Sequence, residues 1–263
     1  MERKYELTDE TEVHYGRTVH RIVAVRDFGN VRKGYKGGWI EHDGNLSHEG
    51  DCWVYDNAMV FQCANVSDNA KVRDGAVVYG TAKVYGTAKV SGRAQVYSDA
   101  MVYGSANVYA SAQVRHNAQV FGNASVFGNA DVFGNARVYE SAIICGKANV
   151  CGDSSVCGNA KVFGNAAIHD QAKACGIVAL HGNVELCGTA YVSTDGDYIV
   201  FKNWWSSGRY FTWTLSNNKW KVGCFYGTGE ELIIRAYNNS ERSGREYERI
   251  VRYVDEIIKD NQK

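Results

Sequence analysis

The chain has 263 residues, 45 % of them hydrophobic, and equal numbers of basic and acidic side chains, 29 each, for a formal net charge of zero. That length allows one large domain or two small ones, and the charge balance removes any general electrostatic pull toward nucleic acid or an acidic membrane surface. No apolar run approaches the roughly 20 residues that cross a bilayer, and the opening MERKYELTDETEVHYG lacks the apolar stretch of a secretion signal; a cytoplasmic location with no membrane contact is expected. There are 28 glycines, no proline, and eight cysteines without a CxxC pair. In a reducing compartment such cysteines are expected to be small, soft packing groups and not disulfides.

Residues 1–50 read as an N-terminal β cap. TEVHYGRTVHRIVAVRDF suggests a hairpin turning at Tyr15-Gly16, and GGWIEHDGNLSHEGDCWVYDN suggests an irregular first coil. From Val54 a step of six residues then meets an aliphatic side chain 24 times in succession, ending at Val192, without one insertion. Two residues ahead of each, from position 58 on, 20 of 23 residues are Ala; the exceptions are Ser154, Val178 and Val184. Each hexad reads as a very short strand, with Ala and Val pointing one way, and a two-residue corner of Gly, Asn, Asp, Ser or Thr. Gly and Asn tolerate the positive φ that sharp corners need. A proline would delete a ladder donor, which accounts for its absence. Repeats of this length mark a parallel β-helix, expected over residues 51–193.

In this pattern the chain resembles the hexapeptide-repeat superfamily of left-handed parallel β-helices, in which three hexads close one triangular coil of 18 residues. The left-handed sense is implied by the resemblance alone and runs against the usual crossover preference. It groups the hexads into about eight triangular coils, a prism roughly 40 Å long at strand spacing. Gly37, Gly38, Trp39, Leu46, Ser47, Gly50, Asp51, Cys52, Trp53 and Tyr55 are similar to the segment that leads into the repeats in the YdcK-like branch of that superfamily.

The position after each valine is Tyr or Phe 12 times and Cys five times, and by alternation it faces outward. At coil spacing, Tyr85, Tyr103, Phe121 and Tyr139 share one column, continued by Cys157 and Cys175. Phe61, Tyr79, Tyr97, Arg115 and Phe133 share a second, and Tyr109, Phe127, Cys145 and Phe163 a third. Rings at this spacing can stack and stiffen the prism. The functional reading is that a column is buried against a partner, because long apolar stripes are rare on monomers. Beside the second column, Met59, Val77, Gln95 and Gln113 leave one face uncharged. The partner-binding residues are therefore expected among Met59, Phe61, Val77, Tyr79 and Tyr97, and among Tyr85, Tyr103, Phe121 and Tyr139.

Residues 194–263 form a separate α+β module. DYIVFKNWW, YFTWTL and KWKVGCFY read as three strands, and Thr228-x-x-Glu231 and Ser243-x-x-Glu246 as capping boxes of two helices. Trp204, Trp205, Arg209, Trp213 and Lys221 interleave aromatic and basic groups, which suits either core packing or a ligand site. The tail is similar to those of repeat proteins from gut bacteria and their mobile elements.

Hexapeptide proteins are often acyltransferases, in which a loop interrupts the hexads and a nearby histidine acts as general base at a subunit interface. The uninterrupted run here weighs against that activity and leaves no catalytic residue to name. His116 takes a corner, while His169 and His181 take ring positions. Cys151, His169 and Cys187 share a column, but three residues in a line cannot surround an ion, so neither metal nor cofactor is expected. The reading is a mainly β, non-enzymatic binding or assembly scaffold, with a protein partner or a second copy of itself and no nucleic acid. An acyltransferase, and an inhibitor or sponge from a phage or mobile element directed at a bacterial defence system, remain as alternatives.

Overall fold

The computed structural model describes residues 2–205 and 207–261. A parallel β-solenoid of about 9 turns fills the centre of the chain. Its strands are only two residues long, and each pairs in parallel with the strand one coil later: Met59–Val60 with Val77–Val78, then with Gln95–Val96. Three faces result. Face I carries Met59, Val77, Gln95, Gln113, Asp131, Asn149, Ala167 and Glu185 outward; face II carries Trp53, Lys71, Lys89, Asn107, Ser125, Ile143, Lys161 and Ala179; face III carries Asn65, Lys83, Met101, Gln119, Arg137, Ser155, Lys173 and Tyr191. The aliphatic residue at each sixth position from Val54 to Val192, and the small residue two places before it, point inward and are buried. Burying one such valine contributes roughly 1.5 kcal/mol or more, and this recurs in the strands of all three faces.

The corners explain the glycine content. Gly146 has φ +71, and a Cβ there would sit 2.9 Å from the Gly164 amide of the next coil. Asp68, Asp74 and Asp170 instead occupy positive-φ corners and accept from the amides of Gly86, Gly92 and Gly188 one coil on, at 2.8–2.9 Å.

The irregular coil expected before the repeats is present, and it makes one more turn than the eight counted from the hexads. Trp39 and Ile40 pair in parallel with Met59 and Val60, and Leu46 bridges Val66. Gly37 and Gly38 are required by close approach, since a Cβ at Gly38 would lie 2.5 Å from the Ala58 carbonyl. The hairpin, Tyr5–His14 and Arg17–Ala24, turns at Tyr15-Gly16 as expected and extends the face I sheet antiparallel, so that the open end is covered. Lys4 anchors it. Its buried ammonium donates to the Cys52 carbonyl at 2.9 Å and lies 3.1 Å from the Cys52 Sγ. Burial holds the Lys4 pKa below the usual lysine value and pushes the Cys52 thiol up.

Three features differ from the sequence reading. Cys157 and Cys175 form a disulfide: equivalent positions on adjacent coils bring their Cα atoms to 4.5 Å, within bridging reach. The tail sheet has four strands, because the chain folds back at Gly223 (φ +57) and Phe225–Gly227 pairs with Lys219–Val222. The second helix begins earlier than Ser243. Helix α1 spans Gly229–Asn239 with the Thr228–Glu231 capping box, and α2 spans Glu241–Asn261, with Ser240 Oγ accepting from the Ser243 amide at 3.1 Å. Side chains of the module close the last coil: Tyr191 N–H donates to Ser216, Glu185 N–H to Thr212, and the Tyr198 hydroxyl to the Ala179 carbonyl. Among the described residues no helix is long and apolar enough to cross a membrane.

Candidate functional site

On face III the rings of Tyr85, Tyr103, Phe121 and Tyr139 form a continuous ladder, with centroids 4.9, 4.8 and 5.1 Å apart and planes within 1–6° of parallel. Side chains leaving equivalent backbone positions on stacked coils start in the same direction, and rings of similar size keep it. The ring faces therefore lie against one another along the prism axis, and only edges and hydroxyls reach solvent. The ladder is half-buried, and between its ends the ring faces cover one another, which suits its surface to flat packing. Beside it, Met101 and Gln119 make an uncharged strip between Lys83 and Arg137.

Face I is different. Met59, Val77 and Tyr79 pack against a cluster of Val19, Trp39 and Phe61, and Phe61 is only 1 % exposed. The hairpin tip folds over them, with the Tyr15 ring 6.0 Å from Phe61 and 6.2 Å from Tyr79. Met59, Phe61, Val77 and Tyr79 are thus engaged by the chain's own cap, and Phe61 has no surface left for a partner. Tyr97 stacks on Tyr79 at 4.8 Å, stays half-exposed, and donates to Gln113 at 3.2 Å.

That bond is one of a series that the sequence reading missed. A ring-position side chain repeatedly meets the outward residue of the next coil on the same face: Tyr103 with Gln119 at 3.4 Å, and Arg115 with Asp131 in a two-point ion pair at 2.6 and 3.1 Å. The Arg115 guanidinium also lies 4.1 Å from the Phe133 ring centroid. His169 with Glu185, at 2.9 Å, completes the series.

His169 marks the seam with the C-terminal module. Its Nδ1 is 3.3 Å from Asp170, and Glu185 also takes an ion pair from Lys221 of the module at 3.1 Å. The Glu185 bond raises the His169 pKa against burial. Burial alone would raise Glu185, but His169 and Lys221 outweigh it and hold the carboxyl below its ordinary value. Burial pushes the neighbouring Cys187 thiol up to about 12. Of the column of Cys151, His169 and Cys187, His169 is thus held in hydrogen bonds and Cys187 is buried, while Cys151 is half-buried. Among the described residues no group of His, Cys, Asp and Glu is arranged to hold a metal ion.

The tail residues separate into two sets. Trp213 is buried and donates to Asn218 at 2.8 Å, and Lys221 is tied to Glu185; these two are structural. Trp204 is 78 % exposed, Trp205 is half-buried against the module core, and Arg209 is exposed. Arg209 comes together with Arg235, Asn239, Tyr247 and Phe225 around a cleft of about 20 Å³. Arg235 and Asn239 carried no motif. Tyr247 follows the apolar spacing of α2 and is buried in the module core, from which it lines the cleft.

Residues 132–146 are matched by the family model of the YdcK beta solenoid repeat. The match falls within the hexads and not in the 37–55 segment that carried the resemblance. No curated protein matches the chain.

Proposed function

We propose that the protein is a non-enzymatic, rigid assembly scaffold, with a second copy of this chain as its first partner. The observation that carries this reading is the half-exposed aromatic ladder on face III, flanked by uncharged Met101 and Gln119 over half its length and by the Arg137 guanidinium over the rest, on an unbroken wall. The parallel pairing of Asn65–Val66 through Tyr191–Val192 along that face runs coil to coil with no excursion that would hold a cofactor beside a general base. Contact on this face adds no strain to the prism, because ring faces are already satisfied within the ladder and only the edges and flanking side chains meet the partner.

Met101→Glu with Gln119→Glu tests it. Lys83, Arg137 and Lys173 already occupy the same outward position on this face, so charge there is compatible with folding. Sedimentation velocity is expected to show the double variant dissociating at concentrations where the parent is associated. An association constant unchanged by two added charges overturns the assignment to face III.

A further inference from the structure

A small cleft in the C-terminal module is lined by two exposed arginines, Arg209 and Arg235, above a floor of apolar side chains. The Arg209 side chain lies across Gly223, where a Cβ would be 3.5 Å from its Cδ. Arg235 projects from α1 with its guanidinium carbon 5.8 Å from the Phe225 ring centroid. Tyr247 of α2 closes the floor with its hydroxyl bonded to Ser207 Oγ at 3.2 Å, and Asn239 stands at the end of α1. The arginines of α2 mostly have acidic neighbours: Arg245 with Glu241, Arg249 with Glu246, and Arg252 with Glu230. Among the described residues neither Arg209 nor Arg235 has a carboxylate within 4.0 Å. Two like charges held at one cleft repel each other, and an anion between them removes that cost.

We infer that this cleft is an oxyanion-binding site, in which Arg209 and Arg235 hold a phosphoryl or carboxylate group and Asn239 adds a neutral donor. A planar guanidinium presents paired N–H donors that match two oxygens of such a group. The free space of about 20 Å³ holds one or two waters, so the oxygens of a single headgroup replace those waters and the rest of the ligand stays outside. Phe225 and Tyr247 supply an apolar floor that lowers the local dielectric and strengthens the charge contact. The site is remote in sequence from the face III ladder, and its failure would leave the association result untouched.

Isothermal titration of the full chain, at fixed ionic strength in chloride, tests the inference with inorganic phosphate, acetate and adenosine monophosphate as probes. Binding of at least one probe is expected, weakened about tenfold or more in Arg209→Gln and in Arg235→Gln. Arg249→Gln, outside the cleft, should bind as the parent does. All three substitutions are at exposed side chains, and circular dichroism checks their folding. Tighter binding of the nucleotide than of phosphate identifies a ligand that extends beyond the headgroup; equal binding identifies the free anion; preference for acetate identifies a carboxylate. No heat with any probe overturns the site, as does an equal loss in Arg249→Gln, which would mean diffuse charge attraction.

Discussion

Phe121 stands between Tyr103 at 4.8 Å and Tyr139 at 5.1 Å, while Tyr85, at the end of the same ladder, has a single ring neighbour at 4.9 Å. Parallel aromatic pairs contribute about 0.5–1.5 kcal/mol each beyond the area they bury. Phe121→Ala removes two pairs, about 1–3 kcal/mol, together with the 5.6 Å contact to the Arg137 guanidinium. Tyr85→Ala removes one pair, about half as much. Because each coil touches only its neighbours, the difference should not be diluted by distant packing. Urea unfolding followed by circular dichroism measures both; each variant also loses the area its ring buries, so Phe121→Ala should cost more than Tyr85→Ala by the extra pair, about 0.5–1.5 kcal/mol. Equal shifts would refute the stacking argument and leave side-chain area as the only term.

Ser154 is a fully buried hydroxyl in a wall of alanines, with only a 3.5 Å contact to the Ile168 carbonyl; Ser154→Ala is expected to be neutral or to stabilise by up to about 1 kcal/mol in the same urea assay, and a clear loss would contradict this. Cys157 and Cys175 close a loop with a separation of 18 residues, so reduction, or Cys157→Ser with Cys175→Ser, should cost about 3 kcal/mol in chain entropy, read as a lower thermal midpoint. His169 has its pKa raised above 6.5, so its contribution is complete below that value and is lost as pH rises through the folded pKa. Glu185 is lowered from 4.5, so its contribution is present above 4.5 and lost in acid. Thermal stability at the seam should therefore be greatest between those two values and decline as pH rises above 6.5, and His169→Gln should flatten that decline; an unchanged slope would rule His169 out as its source.

The period of six carried most of the architecture. Val54 to Val192 all point inward because a two-residue strand has only one inward valine position, and period-2 alternation fixes its partner as Ala. Coverage of the outward positions was a different matter. Nothing in Met59, Phe61, Val77 or Tyr79 reports that Tyr15, some 45 residues or more before them, folds back over the same face; that depends on the hairpin extending the face I sheet. The ion pair of Arg115 with Asp131 was equally hidden, because it needs the coil length and the lean of the ring-position side chain together. In the tail, local signals competed. Ser243 and Glu246 have capping-box spacing, but Ser240 has the extended backbone that ends α1, so α2 starts there. The arginine cleft was half visible: Arg209 stood among tryptophans, while Arg235 lay on an unremarkable helix, and only the packing of α1 on the tail sheet puts both beside one cleft.

Multi-angle light scattering of the unmodified protein across a range of concentrations tests the scaffold reading most directly. A mass that rises with concentration to a multiple of the 29.1 kDa chain is the expected result. A constant mass of one chain at every concentration would contradict self-association through face III.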